Sequence, residues 1–147
     1  MRELLIFTIL HELTHFVVGL ILAVLFWRRF HKWILVFTIF AVTFLLDLDH
    51  LFDYFYFAKN FRFWEYFGRV DFFTVSNKSF VPAHSWEMVI LFGILGWVKR
   101  LPIALVISLA LMGHLLVDQL SYTPNPLAYS LTFRALNHFS LAWYKGL

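Results

Sequence analysis

Four apolar runs broken by short basic clusters set the limits on what this chain can become. Leu4 to Trp27 holds 24 mostly apolar residues and ends at Arg28-Arg29-Phe30-His31-Lys32. Trp33 to Leu46 follows. Ala83 to Val98 is closed by Lys99-Arg100. Leu101 to Leu120 begins with Pro102, a residue suited to the first turn of a helix. The first run alone can cross about 30 Å of hydrocarbon. The chain is 61% hydrophobic and 14% charged, where soluble domains carry about 25% charge. These features predict an all-α integral membrane bundle of four transmembrane helices, in a single domain over residues 1–147. An interfacial aromatic helix is expected over Leu51 to Gly68 and a C-terminal amphipathic helix over Leu127 to Leu147. The first run lacks a basic leader and a small-residue cleavage site, so it reads as a mature helix. The net charge of +3 is too small and too scattered for nucleic-acid binding. With no cysteine, disulfides and thiolate metal sites are excluded.

Each run carries polar residues that lipid tolerates poorly. They are His11-Glu12-Leu13-Thr14-His15, Asp47-Leu48-Asp49-His50, His84-Ser85-Trp86-Glu87 and His114-Leu115-Leu116-Val117-Asp118. If the two basic loops share one side, depth can be counted at about 1.5 Å per residue. His15 and His11 then lie roughly 18 and 24 Å from Trp27, and Asp47 and His50 roughly 21 and 26 Å from Trp33. His84 lies roughly 22 Å from Lys99, and His114 and Asp118 roughly 21 and 27 Å from Arg100. The clusters therefore fall in one layer, near the face opposite the basic loops. Of nine acidic residues, six (Glu12, Asp47, Asp49, Asp53, Glu87, Asp118) lie in or beside that layer. Five of the 12 Lys and Arg residues lie in the two tight loops. The positive-inside rule places those loops in the cytoplasm and the polar layer towards the other side.

An aspartate at the centre of a membrane helix costs about 2.5–3.5 kcal/mol, so several in one layer need pairing, water or cations. Histidine with carboxylate is a ligand set for zinc and for two-metal hydrolytic sites. The expected ligands are His15, Asp47, His50, His84, His114 and Asp118, with His11 and Asp49 next. His11-Glu12-x-x-His15 also matches the zincin helix, in which the glutamate is the general base. Glu12 is thus the first candidate base and Glu87 the second. His31 and His138 read as packing residues, and the aromatic stretch from Tyr54 to Phe67 as a surface anchor.

The order Thr14-His15-Phe16-Val17-Val18-Gly19, Asp47-Leu48-Asp49-His50, His84-Ser85 and Gly113-His114-Leu115-Leu116-Val117-Asp118 resembles a known family. It is similar to the membrane-bound, metal-dependent hydrolases described as LexA-binding and inner membrane-associated. The likeness spans about residues 10 to 130. It implies a multi-helix protein of the inner membrane with a divalent-metal site, and a reaction class without a substrate. The family often has a histidine and a glycine ahead of its Thr-His-Ser; Ser79 to Ala83 lacks them here. His11 and Glu12 are extra to that pattern and stand as replacements for the missing ligand. The His114-x-x-x-Asp118 helix is also similar to one in zinc-dependent phospholipase C and related nucleases.

The expected function is metal-dependent hydrolysis through an activated water, with one or two ions, zinc foremost. A site near headgroup level favours a lipid or lipid-like phosphoester as substrate, its phosphate held by Arg134, Lys59 or Arg62. One alternative is an intramembrane metalloprotease built on His11, Glu12 and His15 with Asp118 as third ligand. Another is a metal-binding membrane protein without catalysis. Polar residues are almost lacking in the inner halves of the runs, which favours a closed pocket over an ion pathway.

Overall fold

The computed structural model describes residues 2–58, 60, 62, 66 and 76–143. It is all-helical, without a β-strand among the described residues. The helices are α1 (Arg2–Phe30), α2 (Trp33–Leu45), α3 (His50–Phe57), α4 (Trp86–Val98), α5 (Pro102–Tyr122) and α6 (Leu131–Leu136), of which α1 and α5 are the longest. A 3₁₀ segment, Leu46–Asp49, joins α2 to α3 so that Trp33–Phe57 runs as one apolar rod. Three helical stretches are long and apolar enough to cross a membrane: Ile9–Phe30, Trp33–Phe57 and Pro102–Tyr122. That is the pattern of a membrane protein.

The basic clusters make the tight turns that the sequence indicates. His31 (φ 50°) follows α1 and Arg100 (φ 53°) follows α4, each in the left-handed conformation that ends a helix. The Leu101 N–H closes the second turn on the Gly96 carbonyl at 3.1 Å. Pro102 opens α5, where its missing N–H leaves no bond unmade. Trp27 and Trp33 meet across the first turn with centroids 4.3 Å apart, aromatic rings at the level where a membrane interface favours them.

Helix α5 touches α1, α2 and α4 and forms the axis of the bundle. Ala23 of α1, Leu35 and Ile39 of α2, and Val106 of α5 form the apolar core on the basic-loop side. Small residues let the helices approach. A Cβ on Gly96 would meet the Leu105 backbone nitrogen at 2.6 Å, and one on Gly113 would meet Val18 Cγ1 at 2.8 Å. Outward positions are large and apolar, among them Leu20, Leu25, Phe37, Phe44 and Ile94. His11, His15, Asp49, Asp53, His84, His114, Asp118 and Arg134 are buried instead.

Three expectations need correction. The third apolar run starts its helix at Trp86, not Ala83, because Pro82 to Ser85 form a turn. At 13 residues, α4 rises about 20 Å and falls short of the hydrocarbon thickness. The helix expected over Leu127 to Leu147 is reduced to Leu131–Leu136, because His138 (φ 55°) and Phe139 (φ 56°) turn the backbone left-handed. The aromatic helix is present over His50–Phe57 and stops where Ala58 becomes extended; most of the stretch beyond, with Lys59, lies outside the described residues.

Candidate metal centre

Four segments meet at the end of the bundle opposite the basic turns. On α1, His11 and His15 stand one turn apart on one face. On α5, His114 and Asp118 do the same. Asp47 and Asp49 come from the 3₁₀ segment, and His84 from the turn before α4.

The inward nitrogens and carboxylate oxygens crowd together. Asp47 Oδ1 lies 3.1 Å from His84 Nε2 and 3.3 Å from His114 Nε2. Those two nitrogens are 3.3 Å apart. Asp118 Oδ2 lies 3.4 Å from His114 Nε2 and 3.7 Å from His84 Nε2. His15 stacks on His114 with centroids 4.0 Å apart. His50 Nε2 is farther out, 3.8 Å from Asp47 Oδ1. Asp47 and His50 are the half-exposed edge of the cluster, with side chains 41% and 31% accessible.

Hydrogen bonds behind the rings fix their orientation. The His114 Nδ1–H donates to the Thr43 carbonyl at 3.2 Å. A carbonyl only accepts, so Nδ1 carries the proton and a neutral ring turns its Nε2 lone pair inward. The His84 Nδ1–H donates to Asp49 Oδ1 at 2.8 Å, again leaving Nε2 to the inside. A histidine held by a carboxylate or carbonyl from behind is the usual support of a metal-binding imidazole. Without a cation, two lone pairs and a carboxylate oxygen would face each other across about three ångströms.

The set fits a small divalent ion. With ligand bonds of about 2.0–2.1 Å, a tetrahedral site has ligand–ligand edges of about 3.3 Å. Asp47 Oδ1, His84 Nε2 and His114 Nε2 lie 3.1 to 3.3 Å from one another and match that value, while Asp118 Oδ2 stands farther from the two nitrogens, at 3.4 and 3.7 Å. Among the described residues, His11, His15 and Asp118 form a second group with converging ligand atoms, and Asp49, His50 and His84 a third.

The turn carrying His84 is clamped from two sides. Asp53 accepts from the Phe80 and Val81 N–H groups at 2.6 and 3.1 Å. Asp49 Oδ2 accepts from the Ala83 and His84 N–H groups at 2.8 and 3.1 Å. From the other side Arg134 donates to the carbonyls of Phe80, Val81 and His84, at 2.8 to 3.2 Å. Val81 (φ 26°) is a β-branched residue in a conformation such residues avoid, and the clamp holds it there. The Tyr66 hydroxyl donates to the Asp47 carbonyl at 3.0 Å; burial and the nearby Asp47, Asp49 and Asp53 push its phenol up to about 12.

Not every residue singled out from the sequence reaches the cluster. Glu12 is exposed, a quarter-turn around α1 from His11. Glu87 caps α6: it accepts from Ser130 Oγ at 2.7 Å and from the Leu131 and Thr132 N–H groups at 2.9 Å. Arg134 is spent on the His84 turn. Arg62 is exposed, with its N–H bonded to the Tyr54 hydroxyl at 3.1 Å. The supporting groups Thr43, Tyr66 and Ser121 were not singled out, because each acts through a backbone atom or a long-range contact that no local spacing signals.

A 460 Å³ apolar cavity lies beside the cluster, between α2, α4 and α5. It runs from Ile34 and Phe37 to Leu46 and Ala83, the chain neighbours of Asp47 and His84. Comparisons with family models, curated proteins and solved structures gave no match.

Proposed function

We propose that this protein is a membrane-bound, metal-dependent hydrolase acting on a phosphoester of a lipid or lipid-like substrate. The observation that carries the reading is the convergence of Asp47, His84 and His114 on one point with Asp118 beside them, and with two of the rings held from behind. A bound divalent ion, zinc foremost, would supply a water of lowered pKa and polarise the phosphoryl oxygen. The protein's part is to fix these ligands, to hold the Nδ1–H groups of His84 and His114 against the Asp49 carboxylate and the Thr43 carbonyl, and to wall the centre with apolar helices. Substrate approaches at the half-exposed Asp47–His50 edge. The cavity that ends at Leu46 and Ala83 suits the apolar part of such a molecule.

The short helix α4 and the clamped turn before it complete a fourth passage through the membrane. The basic turns lie on the cytoplasmic side of the inner membrane by the positive-inside rule, and the centre faces the other side. In the test, purified protein in detergent is given phospholipids and lipid phosphates, and headgroup or phosphate release is followed. Release should stop with chelator and with His114→Ala; release indifferent to both would sink the reading.

A second reading, an intramembrane metalloprotease, is favoured by the grouping of His11 and His15 with Asp118. It requires Glu12 to reach the substrate water, and Glu12 is exposed outside the group. Peptide cleavage abolished by Glu12→Gln and indifferent to His84→Ala would select it.

A further inference from the structure

We propose that the centre holds two divalent cations bridged by the Asp118 carboxylate, the second seated by His11 and His15; this rests on the metal-dependent reading above. The two oxygens of Asp118 face different histidine pairs. Oδ2 turns to His114 and His84. Oδ1 lies 3.1 Å from His11 Nε2 and 3.1 Å from His15 Nε2. Those two nitrogens are 2.9 Å apart. The three atoms make a nearly equilateral triangle, slightly tighter than the edge of about 3.3 Å expected around a tetrahedral ion.

Hydrogen bonding alone serves this triangle badly. His11 Nδ1 lies 3.2 Å from Ser121 Oγ. When that nitrogen donates, Nε2 of the neutral ring carries a lone pair aimed at the Asp118 oxygen. His15 is 2% exposed, and its Nδ1 meets no hydrogen-bond partner among the described residues. A buried imidazole whose outer nitrogen is unsatisfied and whose inner nitrogen abuts another imidazole is anomalous for a packing residue. A cation at the centre of the triangle removes the conflict among the inner Nε2 atoms and the Asp118 oxygen. Asp118 also differs from Asp49 and Asp53, whose oxygens accept backbone N–H groups; the contacts of Asp118 are imidazole nitrogens.

The two positions differ in exposure. Asp47, His84 and His114 supply three ligand atoms to the first, with Asp118 Oδ2 at its margin, and the 41% accessible Asp47 opens it to water or substrate. His11, His15 and Asp118 supply three buried ligand atoms to the second.

The test uses the full chain purified in detergent and titrated with Co²⁺ as a spectroscopic substitute for zinc. Wild type should take up two equivalents by elemental analysis and visible absorption. The EPR signal of the first equivalent should be attenuated as the second loads, through exchange across the shared carboxylate. His11→Ala and, separately, His15→Ala should hold one equivalent with an unattenuated signal, at unchanged helical circular dichroism. A single equivalent in wild type overturns the second position and leaves the metal-dependent reading standing; so do two equivalents retained in both variants. No uptake by wild type overturns both. The wild-type stoichiometry decides even if a variant fails to fold.

Discussion

Arg134 is a cation buried beside membrane helices, and it donates to several backbone carbonyl oxygens. Its flat guanidinium spans the carbonyls of Phe80, Val81 and His84 at once, which a lysine ammonium does not do. Hydrogen bonds from charged donors contribute about 1.5–3 kcal/mol each. Arg134→Ala should therefore lower unfolding stability by about 3 kcal/mol, and Arg134→Lys should recover little of it; thermal unfolding in detergent reads both. Asp49→Asn keeps the shape of the side chain but weakens its hold on the His84 ring. Losing such support typically lowers metal affinity 10–100-fold, so a fall of about that size is expected in a metal titration. An unchanged affinity would mean that His84 is oriented by something else. Glu12→Gln, at an exposed position outside the cluster, should leave metal uptake intact and stability within about 0.5 kcal/mol.

At the scale of elements, the bundle depends on close approaches at small residues. Gly96 packs on the α5 backbone at Leu105, where no side chain can swing aside. Gly96→Ala should force α4 and α5 apart at a cost of about 1–3 kcal/mol, visible as a lower thermal midpoint. A midpoint equal to wild type would show that α4 is not held against α5 as described. Much of this level was legible in the chain. Arg28 to Lys32 and Lys99-Arg100 interrupt apolar runs, and Pro102 marks a helix start, so the turns fell where charge and proline put them. The histidine and aspartate pairs one turn apart could be read because helix periodicity alone places them on one face. Other features follow from tertiary contact and have no local signature. Pro82 to Ser85 is no more polar than a helix start, yet Asp49, Asp53 and Arg134 hold it as a turn. Glu87 looks like a base until the N–H groups of α6 are seen around it. Arg134 looks like a phosphate holder because distance in sequence conceals the carbonyls it faces.

Among the described residues the outer faces of the helices are largely apolar, and the interior is apolar toward the basic turns and polar at the opposite end. Exposed residues such as Phe37, Trp97 and Leu120 should keep it in liposomes through alkaline carbonate washing, and release into the supernatant would contradict a spanning bundle. A metal held by these residues would tie the separate segments together. An ion that binds only the folded chain adds about 2.7 kcal/mol at a hundredfold excess over its Kd. Chelation should thus lower the thermal midpoint of wild type, and lower that of His114→Ala by less. Because every ligand-bearing segment ends on the side away from the basic turns, the centre lies close to one leaflet only. Lipids of that leaflet would reach it by lateral diffusion, while those of the opposite leaflet would first have to flip across. On the proposed lipid-hydrolase reading, turnover in a sealed vesicle would then halt with one monolayer spent.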